Sequence, residues 1–390
     1  MENNNRANII TAFLITCFLA LVIYLDQIIG PTDQMSMLMT MLKKAAIYWV
    51  LAVSLNLLNG FTGLFSLGHA GFMLIGAYTY AMFCIPISQK VNVFRYYDCA
   101  INFSIPEVLG NLMGGPGALL GVIIAITLAG IMSAIVAFLI GQPVLKLKSN
   151  YLAIATLGFA EIIRAIFQWG KLGPITNGSN PLKHYVRTNF FFTDIGGVTV
   201  NLSTFFFVFF AIICVGILVL LVNSSYGRAF KAIREDEIAA EAMGINLYKH
   251  KQLAFCISSF FAGVGGALLA IFMGTTMANN FTSVITYEIL LIVVLGGIGS
   301  ISGSVIGATL FVFASEWWLR GLDSGSWLGI SLPIFRNGFR LVVFSVVIMI
   351  VILFFHRGIM GDKEITDKVR EWKEWFSRGA RKSKAGESNG

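Results

Sequence analysis

Charge is scarce in this sequence. Asp, Glu, Lys and Arg make up 12% of its 390 residues, where a soluble domain carries about a quarter. With 56% hydrophobic residues and a mean hydropathy of +0.78, the chain is excluded from the soluble globular class and reads as an integral membrane protein. No G-x-x-x-x-G-K-[ST] segment is present, so the loop that cradles a nucleotide's phosphates is missing. No apolar stretch carries several carboxylates or histidines, which argues against a proton relay, and no His, Cys, Asp or Glu cluster has metal-ligand spacing. Cysteines number five. Cys17, Cys214 and Cys256 fall in apolar stretches. Cys84 and Cys99 fall at or beyond an apolar end, where an oxidising compartment would permit a disulfide.

What is present is hydrocarbon in lengths that suit a bilayer. Ten apolar stretches, two of them short, cover 9–25, 44–58, 67–85, 118–140, 151–169, 204–222, 253–273, 284–295, 303–318 and 335–355, near the span needed to cross about 30 Å. The first is read as an uncleaved helix, because no small-residue cleavage pattern follows it. The expected fold is therefore all-α, with about ten transmembrane helices and both termini on one side. The formal charge of +8 is taken as orientation, not as a nucleic-acid footprint. Placing the termini in the cytoplasm puts seventeen of the 28 cationic residues on that side and nine outside, as the positive-inside bias requires. Lys43 and Lys44 fit this count poorly. Tyr151, Trp169, Trp317 and Trp318 sit where interfacial anchors belong.

Glycine interrupts the apolar pattern twice, in LNLLNGFTGLFSLGHAGFMLIGA (55–77) and VLGGIGSISGSVIGA (294–308). Paired Gly-broken segments are the mark of transporters whose pathways are lined by discontinuous helices, although small residues also permit close helix packing. The pathway candidates are Gly60, Gly63, Ser66, Gly68, His69, Gly296, Gly297 and Gly299. Glu161 and Arg164 join them, being ionisable residues within a span; three apart on one helix face, they also form a ready ion pair.

One charged loop, 223–251, stands between two apolar stretches. Its acidic trio Glu235, Asp236 and Glu237 suits the first turn of a short helix, Gly244 suits its end, and Ala239, Ala240 and Ala242 leave a thin face for another protein. A chain with no nucleotide loop needs such a handle if its transport is powered.

The segment IAAEAMGI (238–245) is similar to the EAA-xxx-G element of ATP-binding-cassette importer permeases, with Ala239, Ala240 and Gly244 at matching positions. GRAFKAIREDEIAAEAMGI (227–245), GLFSLGHAGFMLIGAY (63–78), YLAIATLGFAEIIR (151–164) and VVLGGIGSISGSVIGA (293–308) together resemble the larger of the two permease subunits for branched-chain amino acids, over residues 42–361. Ile238 departs from the pattern, standing where the general element has glutamate.

The resemblance implies a multi-pass subunit of a bacterial inner membrane, paired with a second permease subunit. Two cytoplasmic ATPase subunits would hold ATP and magnesium, leaving this chain without cofactor, and an extracytoplasmic binding protein would deliver leucine, isoleucine or valine. Arg234, Glu235, Asp236, Glu237, Ala239, Ala240 and Gly244 would then dock on the ATPase. A permease for urea or short amides would share these landmarks; an ATP-independent carrier or a channel would not need the loop. The expected domains are a permease unit at 1–361, an amphipathic cytoplasmic helix at 362–378 and a disordered tail at 379–390.

Overall fold

A computed structural model describes residues 16–27, 36–147, 149–186, 192–195, 198–318, 346, 349 and 358–361. The termini, the tail helix expected at 362–378 and the stretch 335–355 lie outside these residues, apart from positions 346 and 349. The helices are α1 (Thr16–Gln27), α2 (Ser36–Asn56), α3 (His69–Cys84), α4 (Ile87–Val93), α5 (Ile105–Met113), α6 (Gly115–Val144), α7 (Ser149–Gln168), α8 (Gly173–Thr176), α9 (Ser203–Asn223), α10 (Ser225–Glu235), α11 (Glu237–Ala242), α12 (Leu247–Met273), α13 (Ser283–Gly296) and α14 (Ile301–Phe313). Among the described residues, six helical stretches are long and apolar enough to cross a membrane. Every apolar stretch marked from the sequence within the described residues falls on a helix.

The helical class expected from the sequence holds, with one short antiparallel hairpin added, β1 (Phe192–Ile195) and β2 (Val198–Asn201), in which Phe192 stands opposite Asn201. Several finer expectations need correction. The helix that was expected to start at residue 44 starts at Ser36. Lys43 and Lys44 are therefore helical and not loop residues, and Lys44 pairs with Glu316 in the π-helical segment Ala314–Trp318. That pairing explains why they spoil the charge count. The supposed loop 223–251 is almost entirely helical, and α12 takes up Lys249 and Lys251. Cys84 and Cys99 are free thiols; Cys99 points its Sγ at the Ile101 carbonyl, 3.2 Å away.

Helix α12 is the axis of the bundle, with α2, α3 and α6 packed around it. Lipid is as apolar as leucine, so helices in a membrane associate through close fit and interhelical hydrogen bonds. Three glycines on α12 supply the fit. A Cβ at Gly263 would stand 2.2 Å from Ser133 Oγ of α6, one at Gly265 would stand 2.4 Å from Leu51 Cδ2 of α2, and one at Gly266 would stand 2.1 Å from the Met73 carbonyl oxygen of α3. Hydroxyls then bond between helices: Ser133 of α6 donates to the Phe72 carbonyl of α3 at 3.0 Å and Ser258 of α12 to the Ser54 carbonyl of α2 at 2.7 Å. On the rim, buried Asp26 of α1 accepts from the Thr204 hydroxyl at the start of α9, 3.0 Å away.

Residues 85–114 and 169–186 build a lobe at the end of the bundle away from α10 and α11, tied together by the Ala100 N–H on the Pro174 carbonyl and by Asn177 Nδ2 on the Val93 carbonyl. Lys90 of α4 is buried there, donating to the carbonyls of Ile101 and Phe103. Burial lowers its pKa from the ordinary lysine value.

Gly266→Leu should force α3 and α12 apart, at about 1–3 kcal/mol for overpacking. Thermal unfolding of the detergent-solubilised protein should show a lower midpoint, while Gly216→Leu on α9, where a Cβ meets nothing within 4 Å, should not.

Candidate functional site

Both glycine breaks are real interruptions, and they touch. After α2 the backbone widens into a π-helical turn, Leu57–Phe61, then runs irregularly until α3 begins at His69. The second break follows Gly296, where Gly297 (φ 123°) and Gly299 (φ 89°) take conformations that side chains with a Cβ rarely adopt, and α14 resumes at Ile301.

Asn56 joins the two. Wholly buried at the end of α2, its Oδ1 accepts from the Gly299 amide at 2.8 Å. Its Nδ2 donates to the Ser300 carbonyl at 2.9 Å and to Ser304 Oγ at 2.7 Å. Irregular backbone at membrane depth must have its polar groups satisfied by protein or water, and one carboxamide does much of this for the second break. Gly60 makes room for it: a Cβ there would lie 1.9 Å from Asn56 Oδ1 and 2.5 Å from the Gly299 nitrogen.

The first break is tied down by side chains from two other helices and by one of its own. Leu67 N–H donates to Thr156 Oγ1 of α7 at 3.0 Å, Ala70 N–H to Thr286 Oγ1 of α13 at 2.9 Å, and Ser66 N–H to Asn59 Oδ1 at 3.1 Å. His69 is buried, its Nε2 3.0 Å from Ser54 Oγ. The Ser54 hydroxyl has an acceptor in the Leu51 carbonyl at 2.8 Å, so the matching tautomer places the imidazole proton on Nε2. Among the described residues no three His, Cys, Asp or Glu side chains converge as metal ligands.

The pathway candidates therefore separate. Gly60, Ser66, Gly68 and His69 are enclosed in packed protein, and a Cβ at Gly68 would sit 2.8 Å from the Thr156 carbonyl oxygen. Gly296 faces the Gly303 carbonyl oxygen at 2.2 Å and Gly297 faces the Gly361 carbonyl oxygen at 2.5 Å by the same measure, so both sit against backbone. Glu161 and Arg164 do form an ion pair, with Arg164 Nη2 2.6 Å from Glu161 Oε2, but on the half-exposed side of α7.

The charged segment is two helices meeting at Asp236, not one helix opening with three acids. Asp236 caps α11, its Oδ1 accepting from the Ile238 and Ala239 amides at 2.8 and 3.1 Å. Glu235 ends α10 and pairs with Arg234 at 2.6 Å; Glu237 pairs with Lys251 at 2.6 Å. Gly244 (φ 84°) closes α11 in a Schellman arrangement, with Ile245 N–H bonding the Ala240 carbonyl and Gly244 N–H that of Glu241. The face offered outward differs from the expected alanine face. Ala240 is turned inward and buried, while Ala239 and Ala242 are exposed, flanked by Ile238 at 81% and Met243 at 83% exposure.

Arg234 connects this element to the breaks. Its Nη1 donates to the Gly60 carbonyl at 2.9 Å, and a Cβ at Gly63 (φ 73°) would stand 3.1 Å from Arg234 Cγ. A continuous path thus runs from α10 through Arg234 and Gly60 to Asn56 and the second break. Sequence reasoning missed Asn56, Ile238 and Met243. The signal for the first was a carboxamide inside an apolar stretch next to a glycine break.

This architecture, apolar spans with interlocked broken helices and a short charged helix pair hung from one of them, is that of a membrane permease. The chain belongs to the family described as branched-chain amino acid transport system, permease component, whose pattern matches residues 37–356. It is 33% identical over 291 residues to the high-affinity branched-chain amino acid transport permease LivM of Salmonella typhimurium, covering 69% of this chain and 61% of that protein. It is 25% identical over 334 residues to a probable LivM of Methanocaldococcus jannaschii, covering 82% and 92%. A guanosine transporter permease of Bacillus subtilis, NupQ, is 25% identical over 230 residues, covering 57% and 61%. LivH permeases also match, that of Escherichia coli at 32% over 143 residues, covering 36% and 42%. The chain spans about three-fifths of the length of its LivM relatives from Salmonella and Escherichia coli. No solved structure matches it.

Asn56→Leu should leave the buried Gly299 amide without its acceptor, a loss of about 1–3 kcal/mol for one orphaned group, while the Ser300 carbonyl keeps the Ser304 amide and hydroxyl. The readout is the thermal unfolding midpoint, and Asn56→Gln should lose less.

Proposed function

We propose that this chain is the larger permease subunit of an ATP-binding-cassette importer that moves leucine, isoleucine and valine inward across a bacterial inner membrane. ATP hydrolysis occurs on two separate cytoplasmic subunits, a second permease subunit completes the pathway, and an extracytoplasmic binding protein delivers the substrate. The observation that carries this reading is the α10–α11 element. It presents two exposed apolar anchors on a charged helix pair, and its Arg234 is hydrogen-bonded to a broken membrane helix.

Exposed apolar side chains in this setting mark a partner surface, and Ile238 and Met243 are the pair that would enter a cleft on the ATPase. Movement of that cleft is then felt at Gly60 through the Arg234 hydrogen bond, at Asn56 through its close packing on Gly60, and at the second break through the Asn56 carboxamide, a contiguous route of the kind that carries coupling between distant sites. Ala240 and Gly244 keep the element in shape, and Glu235, Asp236 and Glu237 hold it through the internal bonds already described. The family match and the LivM relatives support the amino-acid cargo. The NupQ relative favours one rival, a nucleoside, which belongs in the same assay.

Reconstitution of the chain with its co-purified partners in liposomes tests the reading. Labelled leucine should enter only with ATP, and urea and guanosine should not; uptake of leucine without ATP, or of guanosine in its place, overturns it. Within that assay, Ile238→Arg and Met243→Arg should lower ATP-driven uptake by about tenfold, the effect of ~1.4 kcal/mol at the docking step, with insertion unchanged. Arg234→Ala should keep the ATPase subunits bound but reduce the uptake obtained per ATP hydrolysed.

A further inference from the structure

We infer that the outward stripe of α7 is the seat of the second permease subunit. This rests on the reading of the chain as one half of a permease pair and adds which face does the pairing.

Among the spans of the described residues α7 is the least buried, with 22% of its membrane window inside the protein against 78% for α12. Its inward side is well defined: Leu152, Ala153, Thr156, Ala160 and Ile163 are buried, and Ala160 and Ile163 meet Gly71 of α3. The other side is open. Ile154 and Ile162 are 68% and 52% exposed, and Gly158, midway between them, meets nothing within 4 Å. Residues four apart lie in one row on a helix, so this row is a ridge with a notch at its centre, the shape that a facing helix fills.

Shape alone would suit an acyl chain, and the charges decide against one. Glu161 and Arg164 stand beside the notch with their side chains 39% and 30% exposed. At 1.5 Å per residue Glu161 lies about 15 Å along the helix from Tyr151 and Arg164 about 6 Å from Gln168, both inside the apolar span Tyr151–Gln168. Both bonds that Arg164 makes to Glu161 go to Oε2, leaving Oε1 without a partner among the described residues. Charged groups at such depth face protein or water and not lipid, and an open carboxylate oxygen calls for a donor from across the interface. Helices α6 and α9 also present open faces but carry no charged residue, so the bilayer can cover them without such a cost.

The test is made on the full assembly in lipid nanodiscs, with the photo-crosslinking residue p-benzoylphenylalanine placed at Ile162 or, for comparison, at Leu220 on the open face of α9 (73% exposed). Ile162 should cross-link to the second permease subunit and Leu220 to lipid. Gly158→Leu should reduce co-purification of the second subunit by about fivefold, equivalent to ~1 kcal/mol, whereas Gly216→Leu on α9 should leave it unchanged. If the second subunit is present but Ile162 reaches only lipid, or Gly158→Leu assembles normally, the assigned face is wrong and the paired reading stands. If no second permease subunit is found in the purified assembly, both are overturned.

Discussion

The carboxamide of Asn56 is the contact on which the rest of this molecule depends. Two membrane helices are broken by glycine, and each break exposes peptide groups at a depth where water is scarce and an unsatisfied group costs several kcal/mol. Asn56 answers for the Gly299 amide and the Ser300 carbonyl while binding Ser304. Because the same residue ends α2, the two breaks cannot move independently. Gly60 completes the arrangement, since only a residue without a Cβ lets the Asn56–Gly299 bond pass where it does.

Around that bracket the bundle is assembled by closeness and not by oiliness. The α12 glycines bring α2, α3 and α6 within van der Waals reach of its backbone, and serine hydroxyls bond across the seams. A bundle held this way has discrete packed arrangements and little tolerance between them. This suits a protein whose charged helix pair reaches a broken helix through Arg234 on the Gly60 carbonyl and Lys231 over the Phe61 ring. The same economy appears in α10 and α11, where the acids serve the fold: Asp236 caps, Glu235 holds Arg234, and Glu237 holds Lys251. What is left for a partner is the apolar pair Ile238 and Met243.

Much of this was legible in the sequence, because the signals are local. Apolar length marked the longer helices, the Gly-rich runs marked the breaks, and Gly244 marked the end of α11, while α4, α5 and α8 carried no such signal. Errors arose where a distant contact decided the outcome. Lys44 looked like a loop cation until Glu316, far along the chain, paired with it inside a helix. The acidic trio looked like one first turn until Asp236 proved to be a cap between two helices. Ala240 looked like docking surface, yet the Schellman turn at Gly244 rolls it inward.

The sequence by itself determined that the chain lives in a membrane, that it carries no nucleotide loop, and where its apolar spans and glycine breaks lie. Those properties follow from hydrocarbon length, absent motifs and the φ preferences of glycine, all readable within a few residues. Only the tertiary structure decided which polar groups meet: Asn56 with a break some 240 residues away in sequence, Arg234 with Gly60, and Glu161 with Arg164 on an open face. Such pairings depend on how helices stack in three dimensions, and in an almost uniformly apolar chain the hydrophobic pattern carries too little contrast to specify that stacking.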